Sequence, residues 1–237
     1  MAHITRVALP LAVALAIATP AWSQQSDAGL EEKARQTLES ARETADAAAD
    51  AIRAAVSFDA MPPLPRVGWV MTLPEGFEGF AWYGRGPHES YSDRLASAAV
   101  GLYGATVDAQ YHPYIMPQET GNKTDVRWAA LTRVDGVALL ATALPAAAPA
   151  LLNVSALHYT AADLTVARHT HELCRRPETI LTIDALQSGL GGESCGPATL
   201  PQYLVEPVER TFRVRLRPYV ENEEAPMSLA RQAFEEL

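Results

Sequence analysis

Alternation of apolar and polar residues dominates the middle of the chain. Val67-Gly-Trp69-Val-Met71, Gly79-Phe80-Ala-Trp82-Tyr83, Val126-Arg-Trp128-Ala-Ala130 and Thr179-Ile-Leu-Thr-Ile183 each place every second side chain on one face. The plainest case is Thr211-Phe212-Arg-Val214-Arg-Leu216-Arg217: Phe212, Val214 and Leu216 share a face and the arginines are expected to meet water. Turn residues fill the gaps, at Leu73-Pro74-Glu-Gly76, Gly84-Arg-Gly86-Pro87, Asp135-Gly136 and Cys195-Gly-Pro197. Many short strands with such turns predict a mainly β fold, an antiparallel sandwich over residues 63–219. The apolar run Ala141–Leu152, broken by Pro145 and Pro149, reads as a covered loop between strands.

The period changes on either side of this region. Over about 26–57, small apolar residues recur at Ala34, Leu38, Ala41, Ala45, Ala48, Ile52 and Ala55, in steps of four and three. Ser26 and Asp27 are candidate caps, with Glu31 and Glu32 in the opening turns. This predicts an Ala-rich helix within a 24–62 segment, ended by Pro62, Pro63 and Pro65. Its seam buries little area, so it is either a solvated spacer or a helix that docks on a partner or on itself. At the other end, within 220–237, Pro226 opens a short helix. Leu229, Ala230, Ala233, Phe234 and Leu237 form its apolar stripe.

Residues 1–23 carry the pattern of a secretory signal. Arg6 precedes an apolar stretch from Val7 to Ala18, and Ala21-Trp22-Ser23 resembles a cleavage site before Gln24. The stretch is short of the roughly 20 residues that span a bilayer, so no span is expected after cleavage, and the chain is expected in the periplasm or secreted. An uncleaved anchor is the alternative. In an oxidising compartment Cys174 and Cys195 could form a disulfide, or remain two separate buried thiols. Spacing alone does not supply the Cα separation of about 4.4–6.8 Å that a bridge requires.

Composition narrows the function classes. The chain has 237 residues, 48% hydrophobic and 20% charged, with a formal net charge of -9. That suits one globular core and excludes the basic stripe of a nucleic-acid binder. Glu89 and Glu119 lie in polar, turn-like contexts and are candidates for a carboxylate pair. Each could equally pair with an arginine or accept turn amides. With His88 and His169 they make up a candidate polar site. His169-Thr-His171 would put both rings on one face of a strand, but no third ligand is evident, so no metal and no cofactor is expected. Gly189-Leu-Gly191-Gly192 is followed by Pro197 and reads as a tight β connection, not a phosphate cradle. There is no Gly-x-Ser-x-Gly elbow and no Walker loop. Trp69, Trp82, Trp128, Tyr83 and Tyr91 could stack on sugar rings or form core.

The motifs also occur in a familiar order. Leu64-Pro-Arg66-Val-Gly68 leads to Trp82-Tyr-Gly-Arg-Gly-Pro87-His-Glu89-Ser-Tyr91-Ser-Asp93-Arg94, then Tyr114-Ile-Met-Pro117-Gln-Glu119-Thr-Gly-Asn122 and Asp125-Val-Arg-Trp128. Ala167-Arg-His169-Thr-His-Glu-Leu173, Ile183-Asp184-Ala-Leu-Gln187-Ser-Gly189-Leu-Gly-Gly192 and Cys195-Gly-Pro197 complete the string. Over roughly 63–218 this resembles the C-terminal, small-chain domain of the family-two glycoside hydrolase β-galactosidases. The resemblance implies a galactose-mutarotase-like super-sandwich, here partial, since the strands that precede Leu64-Pro-Arg66 in that family are replaced by the Ala-rich segment. Exposed sheet edges and apolar faces are then expected.

The resemblance also implies that both catalytic glutamates belong to a barrel domain outside the motif string, so no catalytic residue is expected on this chain. One aromatic of this domain reaches the sugar in some members. Trp128 is the nearest candidate here, because Val134-Asp-Gly-Val137 carries none. The implied function is a contribution to hydrolysis of terminal non-reducing β-D-galactose residues alongside a barrel-bearing large chain. A homo-oligomer through the N-terminal helix is the other partner considered. The alternative function is a non-catalytic carbohydrate-binding or envelope interaction module. A stand-alone hydrolase or epimerase using Glu89 or Glu119 with a histidine rests on fold analogy alone.

Overall fold

The computed structural model describes residues 62–144, 151–192, 195–208, 210, 212–221 and 224–232. The expected signal, the Ala-rich helix and the middle of the apolar run at 145–150 lie outside the described residues. The described strands are β1 (Arg66–Leu73), β2 (Phe77–Gly86), β3 (Ala99–Thr106), β4 (Lys123–Val126), β5 (Trp128–Arg133), β6 (Val137–Ala143), β7 (Leu152–Leu157), β8 (Thr179–Gln187) and β9 (Val214–Val220). Two short helices, α1 (Ala161–Val166) and α2 (Pro226–Arg231), accompany them.

The strands pair antiparallel in two sheets, ordered β1-β8-β7-β4 and β3-β2-β5-β6-β9. One core joins them. Phe80, Trp82, Ala129, Leu131 and Ala141 come from the five-stranded sheet, and Val126, Leu152, Val154, Ala156, Leu181 and Ile183 from the other. These are the alternate positions on their strands, so period two delivers a β-sandwich as the sequence pattern predicts. The opposite face of the five-stranded sheet holds Trp128, Ala130, Ala138, Leu140 and Tyr219, covered by Leu229 of α2 with Met227 and Ala230 alongside.

Three local readings need correction. Val126–Ala130 is not one strand: β4 ends at Val126, β5 begins at Trp128, and the chain changes sheets between them. Asp125 takes a positive φ of 54° at this corner, and Arg127 bridges it through its N–H to Tyr83 O (2.8 Å) and its carbonyl to Ala143 N (2.9 Å). The arginines of β9 do not simply face water. Arg215 donates to Gln232 O at 2.9 Å and Leu229 O at 2.6 Å, closing the last carbonyls of α2, and Arg217 donates to Gln232 Oε1 and Glu224. His169-Thr-His171 is no strand but a 3₁₀ turn, Thr170–Glu172.

Helix α1 is absent from the pattern reading, because six residues carry too little periodicity. Its signal is local: Thr160-Ala-Ala-Asp163 forms a capping box, with Asp163 N–H on Thr160 Oγ1 (3.1 Å) and Thr160 N–H on Asp163 Oδ2 (2.8 Å). Border strands of both sheets carry exposed apolar side chains. On β1 Trp69 is 48% exposed, and on β3 Leu102 is 62% exposed. Among the described residues no helix is long and apolar enough to cross a membrane.

Candidate functional site

The polar motifs converge beside the β4 segment. The loop after β2 is sewn to residues 120–124: Ser90 N–H donates to Asn122 O (2.8 Å), Asn122 Nδ2 to Ser90 O (2.9 Å) and Thr124 N–H to Ser90 Oγ (3.1 Å). This register brings Glu89 under a ring of donors. Its Oε2 accepts from Gly121 N–H at 2.7 Å, Tyr91 Oη at 3.2 Å and Thr120 Oγ1 at 3.3 Å, while Tyr114 Oη donates to Oε1. Arg94 stands 3.6 Å from the same oxygen and donates to Tyr114 Oη at 2.7 Å. Burial, then the charges of Glu119 and Glu89, push the Tyr91 phenol far above its ordinary range. Burial and the bond to Glu89 raise Tyr114.

Glu119 is bound by Arg66, which also lies 3.5 Å from Asp184 Oδ2. Burial works against the Arg66 charge, but Glu119 and Asp184 outweigh it and its pKa rises. Asp184 is different: its side chain is 2% exposed and its Oδ1 has no partner. Burial pushes this carboxyl up to about 7 against the pull of Arg66, and Glu119 adds to the rise. Burial outweighs the ion pair at Asp184 because the cost of taking a carboxylate out of water exceeds the attraction of a guanidinium 3.5 Å away. Only glycine fits opposite: a Cβ on Gly68 would lie 2.1 Å from Asp184 Oδ1. Lys123 points into the core, its ammonium 5.0 Å from the centre of the Trp82 ring. Burial draws it down to about 8, opposed by Glu89.

The glycine-rich loop takes a role that the sequence reading missed. Leu190 N–H and Gly191 N–H donate to Asp93 at 3.1 and 2.7 Å, so the loop does cradle an anion, but that anion is the chain's own carboxylate. A Cβ at Gly189 would sit 2.5 Å from Asp93 Cγ. The available clue was an aspartate in one motif and clustered glycines in another, which no local pattern links.

Of the candidate polar site, the structure unites Glu89 and Glu119 around Tyr91 and leaves the histidines apart. His88 bonds Ser97 Oγ (2.9 Å) in an exposed position, and His169 pairs with Glu172 (2.8 Å) on the 3₁₀ turn. Glu89 accepts a turn amide and Glu119 binds an arginine, so the structural alternative holds for both. Trp128 is 2% exposed beneath α2, and a ring covered on both faces offers no platform to a sugar. Cys174 and Cys195 are free and exposed, neither bridged nor buried. Cys174 lines an open groove beside α1, whereas Cys195 sits in a turn closed by its N–H on Gly192 O (3.0 Å).

Two groups of side chains offer metal-type ligands among the described residues: His169, His171 and Glu172, and Glu78, Asp108 and His158. Arg175 occupies the second. It donates to Asp108 (2.8 Å), to both oxygens of Glu78 (3.0 and 3.1 Å) and to His158 Nε2 (2.9 Å). His158 Nδ1 donates to the carbonyl of Glu178 at 2.9 Å, and Nε2 lies 2.9 Å from the Arg175 guanidinium and 3.1 Å from Glu78 Oε2.

With this geometry in place, comparison with known proteins gives a consistent picture. A family model described as "Beta galactosidase small chain" matches residues 25–216, starting upstream of the motif string. The beta-galactosidase of Arthrobacter sp. (strain B7) is 39% identical over 153 residues, 65% of this chain. Those of Priestia megaterium and Vibrio cholerae are each 37% identical, over 61% and 66% of this chain. The matched stretches cover 15%, 14% and 14% of the three relatives, so the chain spans about a seventh of their length. An ordered motif string folded as one sandwich, together with a family match over most of the sequence, establishes that this chain belongs to the beta galactosidase small chain family.

Proposed function

We propose that this chain is a non-catalytic β-galactosidase component that contributes to hydrolysis of terminal non-reducing β-D-galactose residues with a barrel-bearing catalytic chain. The observation that carries this reading is the state of Glu89 and Glu119. A retaining glycosidase needs one carboxylate free to attack and one free to shuttle a proton, about 5–5.5 Å apart. Here Glu89 is saturated by Gly121, Thr120, Tyr91 and Tyr114, and Glu119 is bound to Arg66. Both carboxylates hold loops together. Family membership and the small share of each relative that the chain spans support the same reading. The open borders at β1 and β3 suit contact with a larger chain.

The test is hydrolysis of a chromogenic galactoside by the purified chain, by a candidate large chain and by the two mixed. The expected result is no turnover by this chain alone and a rise in kcat/KM, or in the half-life of activity, on mixing. Turnover by this chain alone that disappears in Glu119→Gln overturns the proposal. Trp69, half exposed on β1, favours the carbohydrate-binding module as a second reading. Calorimetry with galactosides and envelope glycans tests it, and Trp69→Ala must abolish any heat observed. The pattern of residues 1–23 supports export of the chain to the periplasm or medium, which cell fractionation tests.

A further inference from the structure

We propose that the turn at His169–Glu172 is a binding site for a late first-row divalent cation such as Zn²⁺, with His169, His171 and Glu172 as ligands. Ligand atoms of all three lie within 4.8 Å of one another, and all three side chains are exposed. The two rings stack with centroids 5.4 Å apart and planes 19° from parallel. The backbone beneath them is set by Glu172 N–H on His169 O (3.1 Å) and Leu173 N–H on Thr170 O (3.2 Å). The carboxylate is already aimed: Oε2 accepts Arg168 N–H at 2.8 Å and Oε1 lies 2.8 Å from His169 Nδ1.

The required adjustment is small. Tetrahedral bonds of about 2.0–2.1 Å hold ligand atoms roughly 3.3 Å apart. The close pair must open by about half an ångström and the wider ones close by up to about 1.5 Å, which exposed side chains achieve by χ rotation. The ion takes the place of the proton between His169 Nδ1 and Glu172 Oε1. In the neutral ring that proton moves to Nε2, so the exposed ring stays neutral and the charge balance is that of a divalent ion meeting one carboxylate. Two imidazoles and one carboxylate suit Zn²⁺ and its neighbours rather than Mg²⁺ or Ca²⁺, which take oxygen ligands. Water completes the shell because the site is open. The Glu78–Asp108–His158 group lacks this capacity because Arg175 supplies its positive charge.

The test is titration of untagged full-length protein with ZnCl₂ against a chromophoric chelator. Wild type is compared with His171→Ala, Glu172→Gln and Cys174→Ser, the last because an exposed thiol three residues away could take the ion itself. The expected result is one equivalent bound by wild type and by Cys174→Ser, with affinity lower by at least about tenfold in His171→Ala and Glu172→Gln. Binding that is absent in wild type, unchanged in His171→Ala, or lost in Cys174→Ser overturns the proposal. The three variants carry changes only at exposed positions, and circular dichroism spectra matching that of wild type establish that any loss is not unfolding.

Discussion

Asp184→Asn should make the protein more stable, and increasingly so as pH rises. Asp184 lies in the middle of β8 with Oδ1 unpartnered and its carboxyl raised from 3.8 to about 7. Three pKa units correspond to about 4 kcal/mol by which ionised Asp184 opposes folding once pH exceeds both values. The sign follows from proton counts. Between pH 4 and 7 the unfolded carboxyl has released its proton while the native one retains it, so native stability falls as pH rises through that window. Only about 1–2 kcal/mol of the effect is expressed by pH 5, and a further 2–3 kcal/mol accumulates between pH 5 and 8. The amide has the same shape, keeps an oxygen for Arg66 and carries no charge, so it escapes the penalty. Urea unfolding followed by tryptophan fluorescence at pH 5, 6, 7 and 8 reads the difference between the two proteins. Titrations common to both cancel. Parallel stability profiles, or a variant less stable than wild type at pH 8, would refute the reasoning: the Arg66 pair would then outweigh burial.

Three further outcomes follow from the same cluster. Lys123, drawn from 10.5 to about 8 by burial, opposes folding below pH 8, and the opposition fades as pH rises toward 10.5, because the unfolded chain binds the extra proton in that window. Lys123→Met should therefore gain about 1–3 kcal/mol at pH 7, after allowing for the lost contact with Trp82, and the gain should shrink by pH 9.5; a constant difference would contradict this. Glu89→Ala strips the acceptor from Gly121, Tyr91 and Tyr114 and should cost about 2–4 kcal/mol in the same assay, with no loss counting against the strut role. Gly189→Ala forces a methyl to 2.5 Å from Asp93 Cγ and should cost about 1–3 kcal/mol; a smaller cost when combined with Asp93→Ala than alone checks that the clash is the cause.

Much of the sandwich was legible in the chain. Strands β1, β2, β8 and β9 stand where alternation placed them, since period two is a local consequence of one buried face. Misreadings fall where a neighbour decides. The β4–β5 corner looks like one strand because Val126 and Trp128 are both apolar and two residues apart, yet they serve different cores. The β9 arginines look solvated until α2 brings its terminal carbonyls to them.

The sequence alone determined the fold class, the places of β1, β2, β8 and β9 and the acidic charge balance, because each depends on short-range pattern or on composition. Tertiary structure decided what the polar motifs do. Whether Glu89 is a catalyst or a strut depends on Gly121 and Tyr114, more than twenty residues away, and the charge state of Asp184 depends on how completely β1 and β8 exclude water. Hydrogen bonding and desolvation are properties of the assembled surroundings, and a linear string carries no measure of them.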